Sequence, residues 1–215
     1  MKKIFLFKRT FYISFLITCA IYYFLSSFVF GIYPTKGESM QPTLLNDDRL
    51  FVSKLNHKVV GFKRFDLIQF YSEKQNKHFV KRVIGLPGER IEYKNDNLYI
   101  DGIVIEEPFI AAQKESPNKY KDNTKLINVN PEQLNHDKKR DLDIYIKQLE
   151  SPYYTMDFKL EELYKSKRIP DNFIFVLGDN RPLSDDSRYS DIGLVPISSV
   201  EGKILLRLTP NFEIF

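Results

Sequence analysis

The polarity of the chain changes character near residue 34. Residues 11–33 run without a single charge and are rich in Phe, Tyr, Ile and Leu. At about 1.5 Å per residue, a helix of that length matches a hydrocarbon core of roughly 30 Å, so the segment is expected to span a bilayer. Beyond it the apolar residues come in short runs separated by turn signals, at 50–55, 67–71, 79–84, 91–93, 98–100, 103–105, 173–177 and 203–208. Their β-branched and aromatic content predicts strands. Asp101-Gly102, between two of these runs, predicts a tight hairpin because both turn positions need positive φ. From residue 113 to 168 the composition shifts towards Lys, Asn, Asp and Glu, which predicts an inserted α+β surface lobe rather than core. Within it, Asn130-Pro131 is expected to open a helix reaching Leu149, and 157–165 a shorter one. The expected layout is 1–10 before the apolar segment, 11–33 as anchor, 34–112 as the first part of a mainly β domain, 113–168 as the lobe, and 169–215 as the second part of the β domain.

Charge placement orients this layout. Lys2, Lys3, Lys8 and Arg9 precede the apolar segment, whereas Lys36 and then Glu38 follow it. The bias of positive residues towards the inner face predicts a cytoplasmic N-terminus, with everything after residue 33 exported. A cleavable secretory signal is the competing reading, but its apolar core usually covers about 7–15 residues and ends in small side chains. This one is longer, bulky and followed by Pro34, so an uncleaved anchor is expected. About 180 residues remain, enough for one core and a smaller lobe. The lone Cys19 lies inside the apolar segment, so the exported part has neither a disulfide nor a thiol nucleophile. With 32 basic and 28 acidic residues, the charge is too evenly mixed to imply nucleic acid. His57, His78 and His136 show no ligand spacing with one another or with carboxylates, so no metal or other cofactor is expected.

Candidate chemistry concentrates in three places. Ser39 stands in Gly37-Glu38-Ser39-Met40-Gln41-Pro42-Thr43, where Gly37 permits a tight approach and Pro42 biases Gln41 towards extended backbone. Alone, it reads as a turn residue or as an exposed nucleophile. In the second place, His78 to Gly88, strand alternation puts Lys81 on the face of Phe79 and Val83, and Arg82 on that of Val80 and Ile84. One of two adjacent cations must then face apolar neighbours. Bringing a lysine from about 10.4 to about 7 requires roughly 4–5 kcal/mol of differential solvation, which burial can supply; the alternative is a lysine snorkelling to water. The third place is Gly178-Asp179-Asn180-Arg181-Pro182-Leu183-Ser184-Asp185-Asp186-Ser187-Arg188, directly after an apolar run. Such density of short polar side chains predicts a hydrogen-bonded turn. Ser184 is placed to bond a lysine amine, and Asp186 with Arg188 to form a supporting ion pair.

In their order along the chain, these motifs resemble those of bacterial type I signal peptidases. The serine box is similar to residues 39–43, a strand box to Phe65-Asp66-Leu67-Ile68-Gln69-Phe70, the lysine box to 81–89 and the last box to 178–188. The resemblance implies a signal-peptidase-like β-barrel or sheet domain and a Ser/Lys dyad endopeptidase that removes signal peptides from exported preproteins. By position, Ser39 would be the nucleophile, Lys81 the general base and Ser184 the hydroxyl orienting it, with Asp179, Asp186 and Arg188 holding the site together. Many family members carry a serine two positions before the nucleophile as a second oxyanion donor; Gly37 stands there in this chain, leaving that donor unassigned. The implied partners are signal-peptide-bearing preproteins and a lipid bilayer, without nucleic acid and with the enzyme a monomer. The implied location is the bacterial cytoplasmic membrane, with the catalytic domain on its outer side.

Further expectations attach to this resemblance. An extended substrate would pair with a strand edge beside Ser39, with small residues at the first and third positions before the cut. Phe79, Val83 and residues near 50–52 are candidate pocket walls, and Phe62, Phe65, Phe212 and Phe215 candidate membrane contacts. Two other classes are weighed. A self-cleaving repressor of the related Ser/Lys β-fold would need a DNA-reading helical domain where this chain has an apolar segment. An inactive membrane-tethered binding protein would lose a dyad member, and both are present.

Overall fold

The computed structural model describes residues 2–24, 28–55, 60–117, 134–209 and 212–215. Its first helix, α1, covers Lys2–Phe24 and so takes in the basic residues expected to precede the apolar segment. The apolar part, 11–24, is about 21 Å long at the helical rise. Among the described residues no helix is long and apolar enough to cross a membrane, which corrects the expected span over 11–33. Phe30–Pro34 instead forms a strand, β1, antiparallel to β2 at Arg49–Ser53. Lateral pairing is the physical reason: aromatic and β-branched side chains suit a pleated surface, and Phe30 stacks on Phe51 of β2 with ring centroids 4.9 Å apart.

The remaining strands are β3 (Leu67–Ser72), β4 (Lys77–Gly85), β5 (Ile91–Lys94), β6 (Asn97–Ile100), β7 (Ile103–Ile105), β8 (Phe158–Lys159), β9 (Phe173–Leu177), β10 (Val195–Pro196), β11 (Val200–Thr209) and β12 (Glu213–Ile214). They build two antiparallel sheets. The larger has the order β1-β2-β11-β3-β4-β9-β10 with β12 on β11, and the smaller β7-β6-β5-β8. The chain is mainly β, and every expected run falls on a strand. Asp101 and Gly102 both take positive φ between Ile100 and Ile103, as the hairpin signal requires.

β9 decides where the core lies. Its Ile174 and Val176 join one apolar cluster with Ile68, Phe70 and Val83, while Phe175 and Leu177 join another with Ile84, Tyr93 and Phe158. Both faces are covered, which is why its sequence reads as an unbroken apolar run. Its neighbour β4 is covered in the same way, with Val83 and Ile84 in different clusters. Lys81 and Arg82 are therefore both buried, at 1% and 6% exposure, where alternation demanded it of only one.

Between β7 and β9 in the chain come α2 (Ala111–Lys114), α3 (His136–Glu150) and α4 (Leu160–Tyr164). The Asn135 side chain caps α3 by accepting from the Lys138 N–H; the expected Asn130-Pro131 start lies outside the described residues. Ile144, Tyr145, Met156, Phe158, Leu160 and Leu163 all enter the large apolar cluster. The range 113–168 thus supplies core as well as surface, because one face of α3 collects Ile144, Tyr145 and Gln148 at helical spacing. Of the expected membrane contacts, Phe62, Phe65 and Phe215 pack partly buried against the clusters. Phe212 stays exposed.

Candidate active site

Ser39 sits in the loop joining β1 to β2. Gly37 adopts φ 88° and donates its N–H to Asn46 Oδ1 at 2.9 Å, a conformation a side chain would strain. The Gln41 N–H then closes a turn onto the Glu38 carbonyl, and Leu44 N–H bonds the Met40 carbonyl. Met40 and Leu44 are buried with Leu50, Val52, Leu67 and Ile204. These two apolar anchors fix the loop, leaving Ser39 at the side of an open groove of about 1390 Å³.

Lys81 reaches the serine from the middle of β4. Its Nζ donates to Ser39 Oγ at 2.6 Å and lies 5.8 Å from the centroid of the Phe79 ring. Burial lowers the amine from 10.5 to about 8, against the attraction of Asp186, Asp185 and Asp179 and with help from Arg188. Desolvation is the largest effect, so about a tenth of the amine is neutral at pH 7. Once neutral, the amine can accept the hydroxyl proton across the same contact.

The loop after β9 organises the surroundings. Asp179 accepts from Arg82 Nε at 2.8 Å and Nη2 at 2.6 Å, and from Thr43 Oγ1 at 2.5 Å. One carboxylate therefore joins the serine loop, the lysine strand and the loop that follows β9. The Arg82 guanidinium also stacks 3.9 Å from the Phe109 ring centroid. Asp186 and Arg188 form a buried fork–fork pair, Nε–Oδ1 and Nη2–Oδ2 both at 2.9 Å. Burial alone would push the Asp186 carboxyl up, but Arg188, Lys81 and the Gly178 N–H hold it below its usual value.

Ser184 departs from expectation. Its Oγ is buried and has no hydrogen-bond partner among the described residues, so the expected bond to Lys81 is not made. Its backbone N–H is held by the Asn180 carbonyl, and its side chain presses against the bare Cα of Gly178. A Cβ on Gly178 would overlap both Ser184 Oγ and the Ser39 carbonyl oxygen.

Sequence reasoning missed a second buried network. Arg181 and Glu107 are both fully buried and paired at 2.6 Å, with Tyr93 Oη bonding each of them and Thr155 Oγ1 accepting from Arg181 at 3.0 Å. Burial pushes the Tyr93 hydroxyl well above its ordinary value, and the Glu107 charge adds to that. Arg181 lies within the 178–188 motif and was visible there. Glu107, before Pro108, carried no signal of its own.

The groove is walled by Phe79 and Val52 but not by Val83 or Leu50, which lie inside the core beneath it. His78, farther along the groove, pairs with Glu201 at 2.8 Å. His136 is exposed beside Asp137, and His57 lies outside the described residues. No cluster among the described residues has three or more metal-ligating side chains.

An antiparallel β-fold that sets a deprotonation-prone amine against a serine hydroxyl in an open groove has the chemistry of a serine hydrolase. Comparison with known proteins narrows this class. The family model described as signal peptidase, peptidase S26, matches residues 8–209, and the chain belongs to that family. Signal peptidase I of Bacillus caldolyticus is 38% identical over 85% of this chain and 81% of its own length. Signal peptidase IB of Staphylococcus aureus is 32% identical over 94% of this chain and 89% of its own. A crystal structure of a signal peptidase I from Enterococcus faecalis aligns with TM-score 0.47 and 38% identity, covering 66% of this chain and 95% of that one.

Proposed function

We propose that this protein is a serine endopeptidase that removes N-terminal signal peptides from exported preproteins, with Ser39 as nucleophile and Lys81 as general base. The observation that carries this reading is the 2.6 Å contact between a buried amine and the serine hydroxyl, in a chain of the signal peptidase family. Neutral Lys81 takes the Ser39 proton as Oγ bonds to the scissile carbonyl carbon. The tetrahedral species collapses, the C–N bond breaks, and the proton passes to the leaving amine. Water then hydrolyses the ester on Ser39. Asp179, Asp186 and Arg188 keep strand and loops in register, and Ser184 packs the loop against Gly178. The dyad and its supports come from one chain, so a monomer suffices.

Substrate binding follows from the sheet. β4 pairs with β3 from Lys77 to Arg82 but with β9 only from Arg82 onwards. Its 77–81 stretch therefore offers a strand edge on the groove side, to which an extended peptide can add. We further propose that α1 tethers the enzyme to the bacterial cytoplasmic membrane through its apolar side chains. Support comes from the exposed apolar side chains of α1, among them Phe15, Leu16, Ile17 and Tyr22, and from Phe28, Ile32, Phe212 and Ile214. Ile32, Phe51, Leu206 and Ile214 sit in register across four neighbouring strands, and such a row suits a lipid surface.

The test is cleavage of a preprotein by the detergent-solubilised full chain. Ser39→Ala, Lys81→Ala and Lys81→Arg should each abolish cutting, the last because a guanidinium stays protonated at working pH. Wild-type turnover in the serine or alanine variants would overturn the mechanism, and turnover in the arginine variant would remove Lys81 from the base role.

A further inference from the structure

One residue of the 178–188 loop grips the nucleophile's backbone from below. The Asn180 backbone N–H donates to the Ser39 carbonyl at 3.0 Å, and its side-chain Nδ2 donates to the Glu38 carbonyl at 3.1 Å. Those two carbonyls belong to the two peptide units that flank Ser39. Asn180 itself is only 3% exposed and does not line the groove, whereas Glu38 and Ser39 do. We infer that Asn180 is a positioning residue that aims the Ser39 backbone N–H at the oxygen of the tetrahedral intermediate.

The geometry of a peptide unit carries the argument. In a planar trans peptide the C=O and N–H point in opposite directions. The Glu38 carbonyl and the Ser39 N–H belong to one such plane. When Asn180 Nδ2, beside the Gln41 N–H, holds that carbonyl, the Ser39 N–H is turned the other way, towards the groove that Ser39 lines. The second bond, to the Ser39 carbonyl, stops the following peptide unit from rotating to compensate. Orientation of the amide follows from the acceptor it meets, since the opposite flip would set two oxygens against each other. Asn180 Oδ1 is left buried without a partner among the described residues, so the side chain holds this pose for the bond made by Nδ2. Gly37 leaves the second oxyanion donor of this chain unassigned, and its own N–H is already engaged by Asn46. The aim of the single Ser39 donor therefore matters more.

This inference rests on the Ser39/Lys81 reading, and its test separates the two. The full chain in detergent is assayed for peptide cleavage as wild type, Ser39→Ala, Asn180→Ala and the isosteric Asn180→Asp, at about pH 9, above the Lys81 value of about 8. Removing one oxyanion donor outright costs about a hundredfold to a thousandfold in kcat. Loosening its aim should cost about tenfold to a hundredfold in kcat, with KM within about twofold. Binding of a peptide boronate, which forms a tetrahedral adduct on the serine oxygen, should weaken in proportion. Binding of an uncleavable peptide of the same sequence should not change. Asn180→Asp keeps the volume and turns an acceptor towards the Glu38 carbonyl, so it covers the case in which Asn180→Ala loses its cooperative melt. Unchanged kcat in a folded Asn180 variant, or a loss confined to KM, overturns the positioning role while leaving the dyad standing. Wild-type activity in Ser39→Ala overturns the dyad itself.

Discussion

Replacing Lys81 with Met should make the protein inactive and, at neutral pH, more stable. The two side chains are similar in volume and unbranched, so the packing beneath Ser39 is retained. What changes is the burial of a cation. A lysine lowered from 10.5 to about 8 carries about 3 kcal/mol of destabilisation in its charged form, at about 1.36 kcal/mol per tenfold change in proton affinity. The lost contact with Ser39 Oγ returns about 1 kcal/mol, leaving the variant ahead by about 2 kcal/mol at pH 7.

The sign of the pH dependence is the discriminating part. Lys81 binds its proton less tightly in the folded state, so between about 8 and 10.5 the unfolded chain holds more proton, and wild-type stability rises with pH relative to the variant. Below about 8 both states are protonated, and the full cost is present. Most of that cost, about 2–3 kcal/mol, should close between pH 7 and pH 10. The chain has no tryptophan, so urea unfolding in a non-ionic detergent is followed by circular dichroism for both proteins. Other groups that titrate in this range, tyrosines included, cancel in the difference. A variant-minus-wild-type stability that stays constant within about 0.5 kcal/mol from pH 7 to pH 10 would refute the claim that burial sets the state of this amine.

In the proposed mechanism neutral Lys81 is the active form, so kcat/KM for a peptide substrate should climb about tenfold per pH unit below a limb at about 8 and level off above it; a limb near 10 would show an amine open to water. Away from the dyad, Glu107→Gln should cost about 3–5 kcal/mol in urea unfolding, because it strands the Arg181 guanidinium in the interior. A loss below about 1 kcal/mol would show that the pair contributes little.

Strands were legible in the sequence because their apolar runs are short and bounded by turn residues, and β9 because both of its faces are covered. Residues 30–34 were not, since a run such as Phe30-Gly31-Ile32-Tyr33 suits either a helix in lipid or a strand, and only its partner β2 decides. The role of 113–168 in the core was hidden because its apolar runs, such as Ile144-Tyr145-Ile146 and Leu163-Tyr164, are no longer than three residues and lie among charged ones. Of the site, Ser39, Lys81 and the Asp186–Arg188 pair could be read from motif order. The bonds that fix them could not. Asp179 meets Arg82 across 97 residues and Thr43 across 136, and no local pattern announces a contact of that range.

Those long-range bonds explain how a lysine comes to face the serine at all. β4 could slide against its neighbours by one residue only by exchanging its faces, which would put Arg82 where Lys81 stands. Arg82 is pinned on its own face by both oxygens of Asp179, by the Phe65 carbonyl and by the Phe109 ring. A guanidinium suits that role because its planar fork matches a carboxylate in one geometry. With Arg82 fixed, alternation leaves Lys81 no direction except the groove side, where Met40 and Leu44 have already anchored the serine loop. Two adjacent buried cations are thus complementary: the paired one sets the register, and the other, with no carboxylate bonded to it among the described residues, is left to lose its proton.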